Sequence, residues 1–305
     1  MKLPSGFLAA GVRAGIRRRR PDLAVIVAEK PAAAAALFTK NRFLAAPVIL
    51  SRAALQKSGG RIKGVVINSG CANALTGREG IAAARRVRSR TAQLLGCAEE
   101  EICLASTGVI GEPLPDAKIR KALPQAVLRL SASGVETASL AIMTTDVGPK
   151  VAQATFRWGA KRGRIVGIAK GAGMIHPDMA TMLAFLMTSA PATPHFLRGA
   201  LREAADASFH TISVDGDTST NDTVLLMASG RLPGAPMAAP GDGVDFRRAL
   251  RQVCRTLAWM IVRDGEGATR VMEIEVRGAS TQREARVVAH VVATSPLVKT
   301  ALHGG

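Results

Sequence analysis

Tyrosine is absent from these 305 residues, and eight phenylalanines and two tryptophans make up the whole aromatic complement. None stands among the basic runs, so the stacking platform that a single nucleic-acid strand needs is missing. Cysteine is scarce as well: Cys71, Cys97, Cys103 and Cys254 show no CxxC spacing and no neighbouring histidine. That speaks against a metal site and a disulfide framework, and buried free thiols are expected instead. No apolar run reaches the length that crosses a bilayer. The opening MKLPSGFLAAGVRAGIRRRR places its basic cluster after a short apolar stretch, the reverse of a secretory signal. A cytoplasmic protein that touches no membrane is expected. Acidic residues are few, 23 against 41 lysines and arginines, for a formal charge of +18. Apart from Arg17–Arg20 and the RRVRSR stretch at 85–90, the positive residues are scattered along helix faces. Such a field draws in small anionic substrates, and no nucleic-acid partner is expected.

What is present suits a soluble core. Hydrophobic residues are 48% of the chain and charged ones 21%, and this length buries a full-sized interior. β-Branched or alternating runs bounded by turns predict strands at Leu23–Ala28, Ile62–Ile67, Val151–Trp158, Arg164–Ile168, Met182–Thr188 and Val271–Val276. Helical spacing predicts helices at Ile81–Leu95, stopped by Gly96, and at 193–209, capped by Thr193 with Pro194 in the first turn. Two more are expected at 245–262 and 281–292, the last opened by Thr281 with Glu284 as a capping box. Strands and helices mix without strict βαβ alternation, which favours a layered α+β fold over a doubly wound sheet. The Pro/Gly-rich stretch 231–243 reads as a loop.

No P-loop GxxxxGK[ST], no GxGxxG after a strand and no GxSxG occurs. DGDTSTND, 215–222, lacks the sixth-position glycine and closing glutamate of a calcium loop, and is expected to be a turn followed by a capped helix. The five histidines show no catalytic arrangement. Small polar clusters remain at element ends: NSGCAN at 68–73, STGVIG at 106–111, MTTD at 143–146, AKGAGM at 169–174, MATML at 179–183 and DGEGATR at 264–270. Thr181 stands where a glycine-rich loop enters an apolar strand. By itself it is either a buried strand threonine or a placed nucleophile.

Taken in order from GFLAAGVRAGI through VVINSGCANALTG, ASTGVIGEPLP, AIMTTDVGPK, IAKGAGMIHPDMATMLAF and SVDGDTSTNDT to SPLVKTAL, these segments resemble the glutamate N-acetyltransferase (ornithine acetyltransferase) family of arginine biosynthesis along essentially the whole chain. The resemblance implies an α-β-β-α sandwich of N-terminal-nucleophile type. It implies self-cleavage between Ala180 and Thr181 into chains 1–180 and 181–305, assembled as two copies of each. It makes Thr181 the nucleophile, with its freed α-amine as base. Thr107 and Gly108 become the oxyanion hole, and Thr144, Lys170 and Glu266 substrate contacts. Thr145 is the neighbour most easily confused with Thr144. Asn68, Ser69, Cys71 and Asn73 are expected to be structural. The implied reaction carries an acetyl group from N-acetylornithine to glutamate with no metal or organic cofactor, and some members also take acetyl-CoA as donor.

Family members run on past SPLVKTALHGG into an Asp-Pro-Asn-Trp-Gly-type motif and a tail that reaches the substrate, so a C-terminally truncated form is expected. Asp178 stands where Asn is common in the family. A same-fold aminopeptidase or amidase, and an inactive truncated homologue, are the rival readings.

Overall fold

The computed structural model describes residues 1–176 and 182–304. Eight strands, β1 (Phe7–Val12), β2 (Leu23–Phe38), β3 (Arg61–Cys71), β4 (Ile102–Val109), β5 (Lys150–Trp158), β6 (Lys161–Lys170), β7 (Leu183–Thr188) and β8 (Thr223–Ala228), join into one sheet. Its order is β4-β3-β2-β8-β7-β6-β5, with β1 paired to β2 off this path. The helices are α1 (Ala46–Lys57), α2 (Gly77–Leu95), α3 (Asp116–Leu128), α4 (Val135–Ala141), α5 (Pro194–Asp206), α6 (Val244–Arg263), α7 (Gln282–Thr294) and α8 (Pro296–Gly304).

β2 is the strand that makes two layers out of one sheet. Its first half pairs with β1 and β3, its second half with β8, and its register against β3 shifts between Val27 and Ala32. Glu29, Lys30 and Pro31 fill that break and face solvent. A proline there removes no ladder bond, which is where a strand tolerates one. Beyond the break the chain crosses into the other layer on the small side chains Ala32–Ala36.

Side-chain alternation then builds three interiors. Ala24, Ile26, Val65, Ile67, Cys103 and Ala105 from one layer meet Val166, Ile168, Phe185, Met187, Leu225 and Met227 from the other, closed at one end by α4. The opposite face of β2, β3 and β4 packs on α2 and α3 through Val25, Val66, Leu104, Val87, Ile119 and Leu123. The opposite face of β6, β7 and β8 packs on α5 and α6 through Ile165, Leu186, Leu226, Leu201, Val253 and Leu257. The α+β sandwich expected from the sequence is therefore the fold, with both sheet layers hydrogen-bonded through β2.

Local chemistry fixes the ends. Gly96 closes α2 at φ +61. Thr193 and Thr281 accept the Phe196 and Glu284 amides at 3.2 and 3.1 Å. Two expectations fail. Residues 271–276 carry the alternating half-buried pattern of a strand, but no ladder forms there. Periodicity supplies only a face, and a strand also needs a neighbour for its amides. After DGDTSTND comes strand β8 rather than a helix, because TVLLMA is fully buried between β2 and β7. Cys71, Cys103 and Cys254 are buried and Cys97 half-buried, all free. Burial pushes the thiols of Cys97 up to about 11 and of Cys103 and Cys254 up to about 12.

Candidate active site

The parallel pair β3–β4 ends at Ser106, Thr107 and Gly108, opposite Asn68, Ser69 and Gly70. Thr107 is buried. Gly108 takes φ +131, and a Cβ there would stand 2.3 Å from the Gly70 carbonyl carbon, so only glycine fits this approach. The NSGCAN side chains brace this end. Asn68 accepts the Ser106 hydroxyl at 2.6 Å and donates to the Cys71 carbonyl at 2.8 Å. Ser69 donates to the Ala141 carbonyl and Asn73 to the Gly80 carbonyl, at 2.8 and 2.9 Å. They are structural groups, as the sequence suggested.

β6 ends at Lys170, directly opposite Leu183, the first residue of β7. Lys170 is buried, and burial lowers its pKa against the pull of Asp146, Asp222 and Glu266. The Asp146 carboxylate accepts the amides of Thr144 at 2.9 Å and Gly171 at 2.7 Å, and the Lys150 ammonium at 2.7 Å. Burial pushes Asp146 up, but Lys170 and Lys150 outweigh it and hold the group below the usual carboxylate range. Thr144 is half-buried and Thr145 exposed. Arg17 donates to the carbonyls of Met143 and Thr144 at 2.6 and 3.1 Å. Glu266 is exposed at the mouth. Its amide donates to the Ala172 carbonyl at 2.8 Å, and its carboxylate lies where a Cβ on Gly173 would stand 2.6 Å away.

The segment 215–222 joins the two halves. Asp215 accepts the amides of Met174 and Ile175 at 2.5 and 2.8 Å, which shapes the loop after Lys170. Asn221 donates to the carbonyls of Ala72 and Ser106 at 2.7 and 2.9 Å. The adjacent Asp222 accepts the Met182 amide at 3.1 Å. Asn221 thus holds the carbonyl just before Thr107, and Asp222 the amide just after Thr181. Burial pushes the Asp222 carboxyl well above its ordinary value, against the hydrogen bond from the Met182 amide.

Thr144, Lys170 and Glu266 are gathered at one end of β5–β6, and Thr107 with Gly108 is tied to them through Asn221 and Asp222. Ala180 and Thr181 lie outside the described residues. Sequence reasoning missed Arg17, Asp146, Lys150, Asn221, Asp222 and Asp264. Four of them, Asp146, Asn221, Asp222 and Asp264, sit inside the quoted motifs MTTD, DGDTSTND and DGEGATR, whose side chains gave no sign of what they hold. Among the described residues no His, Cys, Asp or Glu cluster is arranged to bind a metal ion. No described helix is long and apolar enough to cross a membrane.

Comparison with known proteins places this geometry. The ArgJ family profile matches residues 8–305. The arginine biosynthesis bifunctional protein ArgJ of Geobacillus kaustophilus is 46% identical over 303 residues, covering 99% of this chain and 73% of its own.

The chain belongs to the ArgJ family.

The ArgJ of Chlorobaculum tepidum is likewise 46% identical, over 99% of this chain and 74% of its own. Among solved structures, ArgJ from Bacillus halodurans superposes with a TM-score of 0.55 at 35% identity, over 59% of this chain and 95% of that one. The L-aminopeptidase D-Ala-esterase/amidase of Ochrobactrum anthropi, a variant of the Ntn hydrolase fold, gives 0.56 over 87% of this chain and 88% of its own at 13% identity. That last likeness is one of fold. For an ArgJ chain it means that the sandwich is a fold shared with an Ntn-type hydrolase.

Proposed function

We propose that this ArgJ chain is an acetyltransferase of arginine biosynthesis that matures by cutting itself between Ala180 and Thr181. The observation that carries the reading is the Asn221–Asp222 bridge. It ties the end of β4, with Thr107 and Gly108, to the backbone entering β7 immediately after Thr181. An oxyanion hole and a nucleophile need this fixed relation, because the donors must face the oxygen that gains charge. The printed names of the relatives supply the pathway.

Scission consumes one water, leaving a carboxylate on Ala180 and a free α-amine on Thr181. That amine titrates at about 7.7–8.0 in peptides and accepts the proton of the neighbouring hydroxyl near neutral pH. The Thr181 oxygen adds to the acetyl carbonyl of N-acetylornithine, and the Thr107 hydroxyl and Gly108 amide hold the oxyanion. The C–N bond breaks, ornithine leaves with the proton, and acetyl stays as an ester on Thr181. The glutamate amine then attacks that ester, and the threonine oxygen is reprotonated as N-acetylglutamate departs. Thr144, Lys170 and Glu266 hold the two amino acids in turn, Lys170 on anionic groups and Glu266 on the amine. All these steps run on protein groups, and acetyl-CoA would serve as an alternative acetyl donor to glutamate. Two copies of each fragment make the assembled enzyme.

The test is Thr181→Ala. It is expected to leave one uncut chain and to abolish acetyl transfer, read by denaturing mass spectrometry and by N-acetylglutamate formation. Retained turnover in that variant contradicts the mechanism.

A further inference from the structure

Behind the substrate-facing groups lies an ion cluster that the reaction as written does not use. Lys150 at the start of β5 is 3% exposed in its side chain, Asp146 is 0% and Asp264 16%. The Lys150 ammonium bridges both carboxylates, Asp146 at 2.7 Å and Asp264 more closely still. Each carboxylate also takes backbone amides from segments far apart in the chain. Asp146 takes those of Thr144 at 2.9 Å and Gly171 at 2.7 Å. Asp264, which follows α6, takes that of Val147 at 3.1 Å. Two residues on, Glu266 donates its own amide to the Ala172 carbonyl at 2.8 Å. The three segments bearing Thr144, Lys170 and Glu266 are therefore closed into one ring of bonds with Lys150 at its centre.

Sequestering one ammonium and two carboxylates is expensive, and apolar side chains of similar volume usually stabilise a core as well or better. A stability role leaves that expense unexplained. Positional control explains it, because a lysine with three donors can fix two carboxylates at once and each carboxylate can fix the backbone beside it.

We propose that Lys150, Asp146 and Asp264 form a positioning clamp that sets Glu266 and Thr144 at working distance from Lys170, so that the clamp governs amino-acid binding without touching the substrate. The inference rests on the acetyltransferase reading and adds residues to its site.

Asp264→Asn tests it in the full chain, because the substitution removes the negative charge that holds Lys150 beside the segment of Glu266 and leaves the Asp146–Lys150 pair intact. The expected result is a rise of about tenfold in KM for N-acetylornithine and in Kd for ornithine, with kcat changed less than about twofold and cleavage at Ala180–Thr181 unaltered. Because Asp264 acts through Glu266, adding Asp264→Asn to Glu266→Gln is expected to change KM little further, a non-additive cycle. Full additivity, an unchanged KM in Asp264→Asn beside a raised one in Glu266→Gln, or failure of Asp264→Asn to fold each overturns the clamp. Absence of ornithine binding in the unsubstituted chain, or an unchanged KM in Glu266→Gln, overturns the substrate reading itself and the clamp with it.

Discussion

Asp222 carries a fully buried carboxyl group, one oxygen of which accepts the Met182 amide. The other has no hydrogen-bond partner among the described residues. Burial is the largest influence on it and raises its pKa well above the ordinary 3.8. The folded state then holds a proton that the unfolded state has lost, so stability falls as pH rises. The contribution is complete below about the ordinary value and disappears toward the folded one. Asp222→Asn keeps the acceptor for Met182 and removes the titration. Its stability relative to the parent chain is expected to improve steadily as pH rises above the ordinary carboxylate value toward the raised folded one, read from urea midpoints at fixed salt. Parallel curves for the two proteins would contradict this. Nothing in DGDTSTND distinguishes this aspartate from its neighbours Asp215 and Asp217. Asp217 lies in an exposed turn, whereas Asp222 faces the interior because TVLLMA carries the chain straight into the sheet. Residue roles of this sort depend on which side of a turn the chain re-enters the core, and composition is silent about that.

At the scale of elements, the strongly periodic segments were readable, and so were the short apolar strands at the starts of β2 and β3 and at β7, but not all the others. Helices α2, α5, α6 and α7 lie where their spacing and caps put them, α2 starting four residues ahead of Ile81 at Gly77. Strands β1, β4 and β8, of 6, 8 and 6 residues, are too short or too uniform for periodicity to separate them from loop or helix. The stretch 271–276 failed the other way, for want of a neighbouring strand. One glycine shows how tightly the outer layer is fitted. A Cβ at Gly167 in β6 would lie 2.6 Å from Leu186 and 2.9 Å from Leu257 and Val253. The close seat of α6 on the sheet therefore requires that glycine. Gly167→Ala is expected to cost about 1–3 kcal/mol of unfolding free energy, as overpacking does, with an unchanged β-sheet signature by circular dichroism. A shift below about 0.5 kcal/mol would mean that α6 yields without strain.

For the whole molecule, the family resemblance carried what local patterns could not. Six small-polar clusters spread over 200 residues read as turns one at a time, yet most of them are gathered where β4 and β6 end and β7 begins. The folded sheet does this by passing β2 from one layer to the other, which brings the end of β4 beside the start of β8 and hence beside β7. The family's motifs singled out Lys170, Thr144 and Glu266, while the groups bonded around them, Asp146, Lys150, Asp264 and Asn221, emerge only from the fold. The net charge of +18 steers small anions toward the chain, with a rate that falls as salt is added.

The proposed acyl transfer through a threonine freed by chain scission leaves an acyl-enzyme that can be weighed directly. Purified protein is mixed with N-acetylornithine in the absence of glutamate, quenched in acid and measured by intact-mass spectrometry. The predicted result is two fragments, with one acetyl group on the fragment that begins at Thr181 and its loss when glutamate is added. Acetyl transfer by an uncut chain, or turnover with no acetyl group on that fragment, would contradict the account.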